Sequence, residues 1–264
     1  MKSLSFDTMV RLYEETRVCH PVHFRAALDD LAERFPPSTY RDLFEPGIGT
    51  GRIAVPLGHR GYHVTGVDIS YRMLALLRRR VARAQKPLHV SFQLADAGRL
   101  PFRDATFEIS VAVHLFYFVS DWKQAADEML RVLKPGHPLI LMHTGTGMEV
   151  PDLNQRYKEL CAEYGHTIAA TGVEHTAEVV AHFKTRGCRV DQVRKHWQWT
   201  SRIRLESALG YLRSRAYSFT VSAPDSIHRA VMEQLAWEAQ RKYGSVAHRV
   251  SVPNRIYYTV ATRP

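Results

Sequence analysis

The sequence predicts an α/β protein built on a doubly wound, mostly parallel sheet. Three observations point there. Short apolar runs alternate with stretches of helical periodicity between residues 42 and 143. The first run leads into a glycine-rich turn, "EPGIGTGR", and the turn opens into a helix. An acid stands at the end of each of the first three runs: Glu45, Asp68 and Asp96.

The elements follow in order. Helices are expected over Phe6 to Glu15 and Pro21 to Phe35, the second with Phe24, Ala27, Leu28 and Leu31 at helical spacing, before "PPSTY" breaks the pattern. Strands are expected at Asp42–Glu45, His63–Ile69, Val90–Ala95, Phe107–His114 and Leu139–His143. Helices lie between them near Gly51–Gly58, Ser70–Ala84 and Trp122–Leu133. "LKPG" stops the last of these with Pro and Gly just past its end. Beyond Gly145 the rhythm changes. Residues from Pro151 to about Ala170 read as helix, "TAEVVAHFKTRG" as a helix stopped by Gly187, and "CRVDQVRKHWQW" as a sixth strand. Leu205 to Gly244 is mostly helical, and "RIYYTVATR" is a seventh strand. The expected organisation is an N-terminal helical lid over residues 1–40 and a Rossmann-like domain over 41–264. Helical segments at about 151–170 and 205–245 are expected to cap the strand ends, or, for the second, to extend the body of the domain.

Length and composition set the bounds. The chain has 264 residues, 45% hydrophobic and 23% charged, enough for one sizeable core. It contains no run of about 18 apolar residues, so no membrane span is expected, and its first residues lack the apolar core of a signal peptide. Three scattered cysteines, Cys19, Cys161 and Cys188, fit neither a disulfide framework nor a CxxC metal site. The expectation is a reducing cytoplasm and no metal. The formal charge of +10 raises a nucleic-acid partner. However, the densest run, Arg78, Arg79, Arg80 and Arg83, sits on one helix and reads as a solvated face. An anionic small substrate explains the surplus as well.

In open α/β sheets ligands sit beyond the carboxyl ends of the strands. Bare Cα atoms at Gly47, Gly49 and Gly51 let a ligand approach there. A dinucleotide loop has GxGxxG spacing and no acid in it; here Glu45 stands two residues ahead of Gly47, where it would repel a phosphate and attract an ammonium. Asp68 lies 17 residues after Gly51, at the place of an acid that grips ribose hydroxyls. Asp96 could accept from an adenine amino group. An amino-acid end, a ribose and an adenine, without phosphate, describe S-adenosylmethionine.

The motifs "EPGIGTGR", "VTGVDISYRML", "LADAGRLPFRDATFE" and "MLRVLKPGHPLIL" resemble, in order, those of class I S-adenosylmethionine-dependent methyltransferases. Among these the chain most resembles the small-molecule type 11 branch, which includes the ubiquinone/menaquinone-biosynthesis-like enzymes. The match covers roughly Arg41 to Thr144. "LYEETR" resembles the Tyr-x-x-x-Arg segment that many of these enzymes fold over the cofactor. The resemblance implies a seven-stranded sheet with an antiparallel last strand. It implies that Glu45 and Gly47 line the methionyl end with Gly49, Thr50 and Gly51 close behind. Asp68 would bind the ribose, with Ile69 and Met73 at the adenine and Asp96 and Ala97 reading its edge. His114 would lie beside the reacting methyl, and Tyr13 and Arg17 would come from the lid.

The transfer needs a nucleophile held in line with the S–CH3 bond and, when that nucleophile carries a proton, a base. His114 and His143, both at expected strand ends, are the base candidates; Tyr13 and Tyr117 could orient a substrate. "HLFYF" stands where base N-methylases carry a (D/N/S)PP(Y/F/W) stretch, and no Pro-Cys nucleophile occurs. The expectation is an enzyme that methylates a small organic acceptor at O, N or C, releasing S-adenosylhomocysteine and working as a monomer or homodimer. An RNA or protein methylase and a non-catalytic S-adenosylmethionine-binding protein are the alternatives.

Overall fold

The computed structural model describes residues 5, 7, 10–17, 19–145, 148–193 and 195–264. The expected helix start at Phe6 lies outside them. Helix α1 (Val10–Thr16) and helix α2 (Pro21–Arg34) come first. The sheet then begins: β1 (Asp42–Pro46), α3 (Ala54–Gly58), β2 (His63–Asp68), α4 (Tyr71–Ala82), β3 (Val90–Leu94), β4 (Ile109–Val113), α5 (Trp122–Val132) and β5 (Pro138–Thr144). Strands β1 to β5 pair in parallel in the order β3-β2-β1-β4-β5. Both faces of the central strands β1, β4 and β5 are covered, which is why they read as apolar runs, whereas the edge strand β3 alternates and is largely exposed. Phe44, Val67, Ala112, Leu139 and Leu141 pack on one side, against buried α5 residues such as Met129. Leu43, Val64, Ile109, Val111, Ile140 and Met142 pack on the other, against Leu28, Leu31, Leu57 and Leu77.

The second half follows: α6 (Pro151–Glu163), α7 (Thr176–Thr185), β6 (Arg189–Gln192), β7 (Trp197–Arg204), α8 (Leu205–Arg213), α9 (Asp225–Tyr243) and β8 (Arg249–Thr262). Strand β8 is antiparallel to β5, as a type 11 resemblance implies, and it carries β6 and β7 on its other edge. Among the described residues the sheet has eight strands where seven are expected. Gln192 pairs with Thr259 and Trp197 with Ile256, so one strand advances five positions against three on its neighbour. This bulge divides the expected sixth strand into β6 and β7. It also lets β7 and the first half of β8 run on beyond the sheet as a two-stranded ribbon.

Two further expectations are corrected. The N-terminal 40 residues are not all lid: Ala27, Leu28 and Leu31 of α2 are buried in the sheet's core, because the helical spacing of its apolar residues gives α2 one face that must pack. The helix expected to reach Ala170 stops at Glu163, where Gly165 takes φ 81° and turns the chain into a loop. Helices α6, α8 and α9 share a third core with the ribbon, through Tyr157, Leu205, Leu209, Leu235, Ile203 and Val252. No helix among the described residues is long and apolar enough to cross a membrane.

Candidate active site

One cavity of about 940 Å³ runs from the glycine loop to the layer formed by the later helices. Its floor is the loop after β1. Gly47 and Gly49 line it, at φ 68° and 54°. The Gly49 N–H donates to Asp68 at 2.9 Å, and the Ser70 N–H donates to the other Asp68 oxygen at 2.8 Å. Asp68 is thereby fixed at the tip of β2, and burial pushes its carboxyl up from its ordinary value. Ile69 and Met73 continue the wall from this point. Ser70 caps α4 by accepting from the Met73 N–H, and its hydroxyl donates to Asp7 at 2.6 Å. Asp96 and Ala97 form the rim after β3, with Asp96 exposed and accepting from the Gly98 N–H at 2.8 Å.

Three residues expected at the cofactor do not line this cavity. Gly51, at φ 76°, faces the helix behind it: a Cβ there would stand 2.3 Å from Leu77. The Thr50 hydroxyl donates to Glu14, whose other oxygen is 2.5 Å from Arg80, while Arg80 also donates to the Thr50 carbonyl at 3.0 Å. Thr50 thus clamps α1 to the glycine loop, and one arginine of the basic run is spent on that clamp. Glu45 lies beneath the loop, only 3% exposed, because it is still within strand β1 when the chain turns. Burial pushes its carboxyl well up, and Arg52 opposes the shift.

Arg52 is the functional candidate that sequence reasoning passed over. Its guanidinium is buried, lines the cavity and donates to the Thr144 hydroxyl at 3.1 Å, the Cys19 sulfur at 3.0 Å and the Arg17 carbonyl at 3.3 Å. Tyr13 is also its hydrogen-bonding neighbour. An arginine directly after a glycine loop was the available signal, and it reads equally as the solvated start of α3. Glu45 Oε2 and Arg52 Nε are buried side-chain atoms with no hydrogen-bond partner. Such groups are costly unless something satisfies them. Arg52, which lines the cavity, offers an unmet cationic donor that fits the carboxylate of an amino acid, while Glu45 stays beneath the loop. Arg17 joins from α1's end: it lines the cavity, pairs with Glu149 at 3.4 Å and lies over the Tyr217 ring.

His114 lines the cavity in a left-handed conformation, φ 56°, at the turn after β4. Its Nε2 lies 3.1 Å from the amide nitrogen, carbonyl oxygen and hydroxyl oxygen of Thr144. Burial, with His143 and Arg52 nearby, pulls its imidazole down to about 3, so it is neutral and only weakly basic. His143 does not reach the cavity. Thr144 lines it, so alternation along β5 turns His143 to the other face. There its ring stacks on Tyr257, with centroids 4.7 Å apart. Tyr117 does line the cavity, as do Tyr217 and Phe219 of the 3-10 turn between α8 and α9, Lys158 of α6 and residues 168–171.

Residues 44–141 match the family model described as a methyltransferase domain. This segment is similar to the methyltransferase domains of the ubiquinone/menaquinone-type enzymes. The chain is 35% identical, over 46% of its length and 54% of the relative's, to a demethylmenaquinone methyltransferase of Thermus thermophilus. It is 30% identical to an O-methyltransferase of Penicillium expansum, over 50% of this chain and 49% of that one. The chain spans about half the length of the curated relatives it matches. The crystal structure of the YcgJ protein from Bacillus subtilis shares the fold, with a TM-score of 0.61 at 18% identity over 91% of this chain and 98% of that one.

Proposed function

We propose that the chain transfers the methyl group of S-adenosylmethionine to a small organic acceptor. The observation that carries this reading is one cavity lined by both the Asp68 carboxylate at the tip of β2 and the Arg52 guanidinium, whose buried Nε has no hydrogen-bond partner. Asp68 keeps lone pairs for ribose hydroxyls, Ile69 and Met73 flank an adenine, and Asp96 with Ala97 meets its edge. Arg52, Arg17 and Tyr13 hold the amino-acid end, Arg52 and Arg17 taking the carboxylate, with Glu45 beneath the loop. Gly47 and Gly49 allow close approach, while Gly51 and Thr50 support the loop from behind. When bound, the cofactor supplies a sulfonium methyl, a strong electrophile. The protein's own task is to aim the acceptor at that methyl and keep water out. His114 and Tyr117 form the wall where the acceptor would stand.

The acceptor half supports a molecule with an apolar body and an anionic group. Tyr217 and Phe219 supply aromatic surface, and Lys158 stands over the Phe219 ring at 5.2 Å, at the exposed end of the cavity. The helices α6, α8 and α9 act as a cap in this reading. All three cysteines are unpaired, which suits a reducing cytoplasm. The state of assembly would be monomer or homodimer.

Calorimetry with S-adenosylmethionine, followed by incubation with methyl-labelled cofactor and a metabolite extract, tests the proposal. The expected result is binding, with label passing to small acidic molecules. Label in RNA or protein would overturn the small-acceptor reading. Binding without any transfer would leave a non-catalytic cofactor-binding protein.

A further inference from the structure

Resting on the transfer reading above, we infer that Tyr117, Thr176 and His143 form a proton relay serving an acceptor whose nucleophile is a hydroxyl group. The Tyr117 hydroxyl is 2.8 Å from Thr176 Oγ1, and Thr176 Oγ1 is 2.7 Å from His143 Nε2. The first of these residues lines the cavity; the last does not. The three come from the turn after β4, the start of α7 and the end of β5, so only the packed fold joins them. The His143 ring is held in place by its stack on Tyr257, which in turn has the Arg255 guanidinium over it at 4.8 Å.

The chain has a direction. With His143 Nε2 as the acceptor, Thr176 donates to it and Tyr117 donates to Thr176. The Tyr117 oxygen then offers lone pairs to the cavity and selects a donor, an O–H group. In the transfer, the acceptor oxygen forms its bond to the methyl carbon while the S–CH3 bond breaks and leaves its electron pair on sulfur. The acceptor's proton passes to Tyr117, the Tyr117 proton to Thr176, and the Thr176 proton to His143 Nε2. One positive charge disappears at the sulfonium and one appears on the imidazole, so charge is conserved. The proton returns by the same path to water once product has left.

Burial and Arg255 hold His143 at about 4. A base that weak does not ionise a bound hydroxyl beforehand, but it is far stronger than a newly methylated, still protonated oxygen. Proton movement therefore accompanies or follows bond formation. The charged and titratable groups facing His143 are Arg255, the edge of His114 at 5.5 Å, Tyr257 and Tyr117.

Nitrogen-15 NMR of the histidines in the full chain, without ligand and at neutral pH, tests the direction directly. His143 is expected to carry its proton on Nδ1, with an Nε2 signal that shifts in Thr176→Val. A proton on Nε2 would overturn the relay. The second arm uses methyl-labelled S-adenosylmethionine and the metabolite extract. Thr176→Val, Tyr117→Phe and His143→Gln are each expected to slow transfer by about 100-fold or more. Cofactor affinity and thermal stability should stay near those of the wild type, and Thr176→Ser should restore the rate. A wild type that transfers while Thr176→Val is equally fast overturns the relay alone. A wild type that transfers nothing overturns the transfer reading and the relay with it.

Discussion

The two halves of the cavity are built by opposite means. The half around the glycine loop comes from the turns after three consecutive strands, β1, β2 and β3, and several of its contacts are local: Asp68 to the Ser70 N–H, Ser70 to the Met73 N–H, Asp96 to the Gly98 N–H. The half around Tyr117, Tyr217 and Lys158 draws on the β4 turn, α6, the loop before α7 and the turn between α8 and α9. On the proposed function, local geometry holds the methyl donor, and long-range packing shapes room for the acceptor. The two halves should therefore fail separately.

A paired glycine experiment makes the largest contrast. Gly51→Ala places a Cβ 2.3 Å from Leu77 at φ 76°. It is expected to cost roughly 2–4 kcal/mol of stability and to weaken cofactor binding, read by denaturant unfolding and calorimetry. Gly172→Ala places a Cβ 1.9 Å from the Phe116 carbonyl oxygen, so the loop before α7 must move. That change is expected to slow transfer on the order of 100-fold with cofactor affinity kept, since small misplacement of a positioned substrate is that costly. Equal damage to both functions in either variant would break the comparison.

Asp68→Ala comes next. On the proposed function it would leave ribose hydroxyls unmet, and the affinity for S-adenosylmethionine should fall by about 1–3 kcal/mol. Unchanged affinity by calorimetry would remove Asp68 from the donor half.

The smallest effect sharpens the boundary between the halves, where His114 stands. His114 at about 3 and His143 at about 4 lie below their ordinary 6.5, so the fold holds both neutral. Their contribution is complete above the unfolded-state value and is lost as pH falls from about 6.5 toward 3 to 4. Glu45 and Asp68, raised by burial, act in the opposite sense in acid. Comparing stability at pH 7 and pH 4.5 in wild type and His114→Gln separates them: the variant should lose less. An equal loss would mean that His114 is not held neutral by the fold.

Legibility in the sequence follows the same division. The glycine loop, Asp68 and Asp96 were readable because each depends on a few neighbours in the chain. Thr50 misled: it belongs to the loop motif, yet its hydroxyl goes to Glu14, 36 residues earlier, and only packing shows that. Arg52 was hidden in plain view, since an arginine at a helix start is ordinary until its partners Thr144, Cys19 and Arg17 are known. His143 and Tyr117 each attracted notice alone; nothing in their spacing hinted at Thr176 between them.

By itself the sequence determined the order of strands and helices, the bare turn after the first strand and the acids at the strand tips. Hydrophobic periodicity and backbone freedom act over a few residues, so they leave a local trace. Tertiary structure alone decided which face each strand-end side chain took, which charges were buried without a partner, and which later segments closed over the cavity. Those outcomes depend on contacts between residues tens to more than a hundred positions apart, and no local pattern records them.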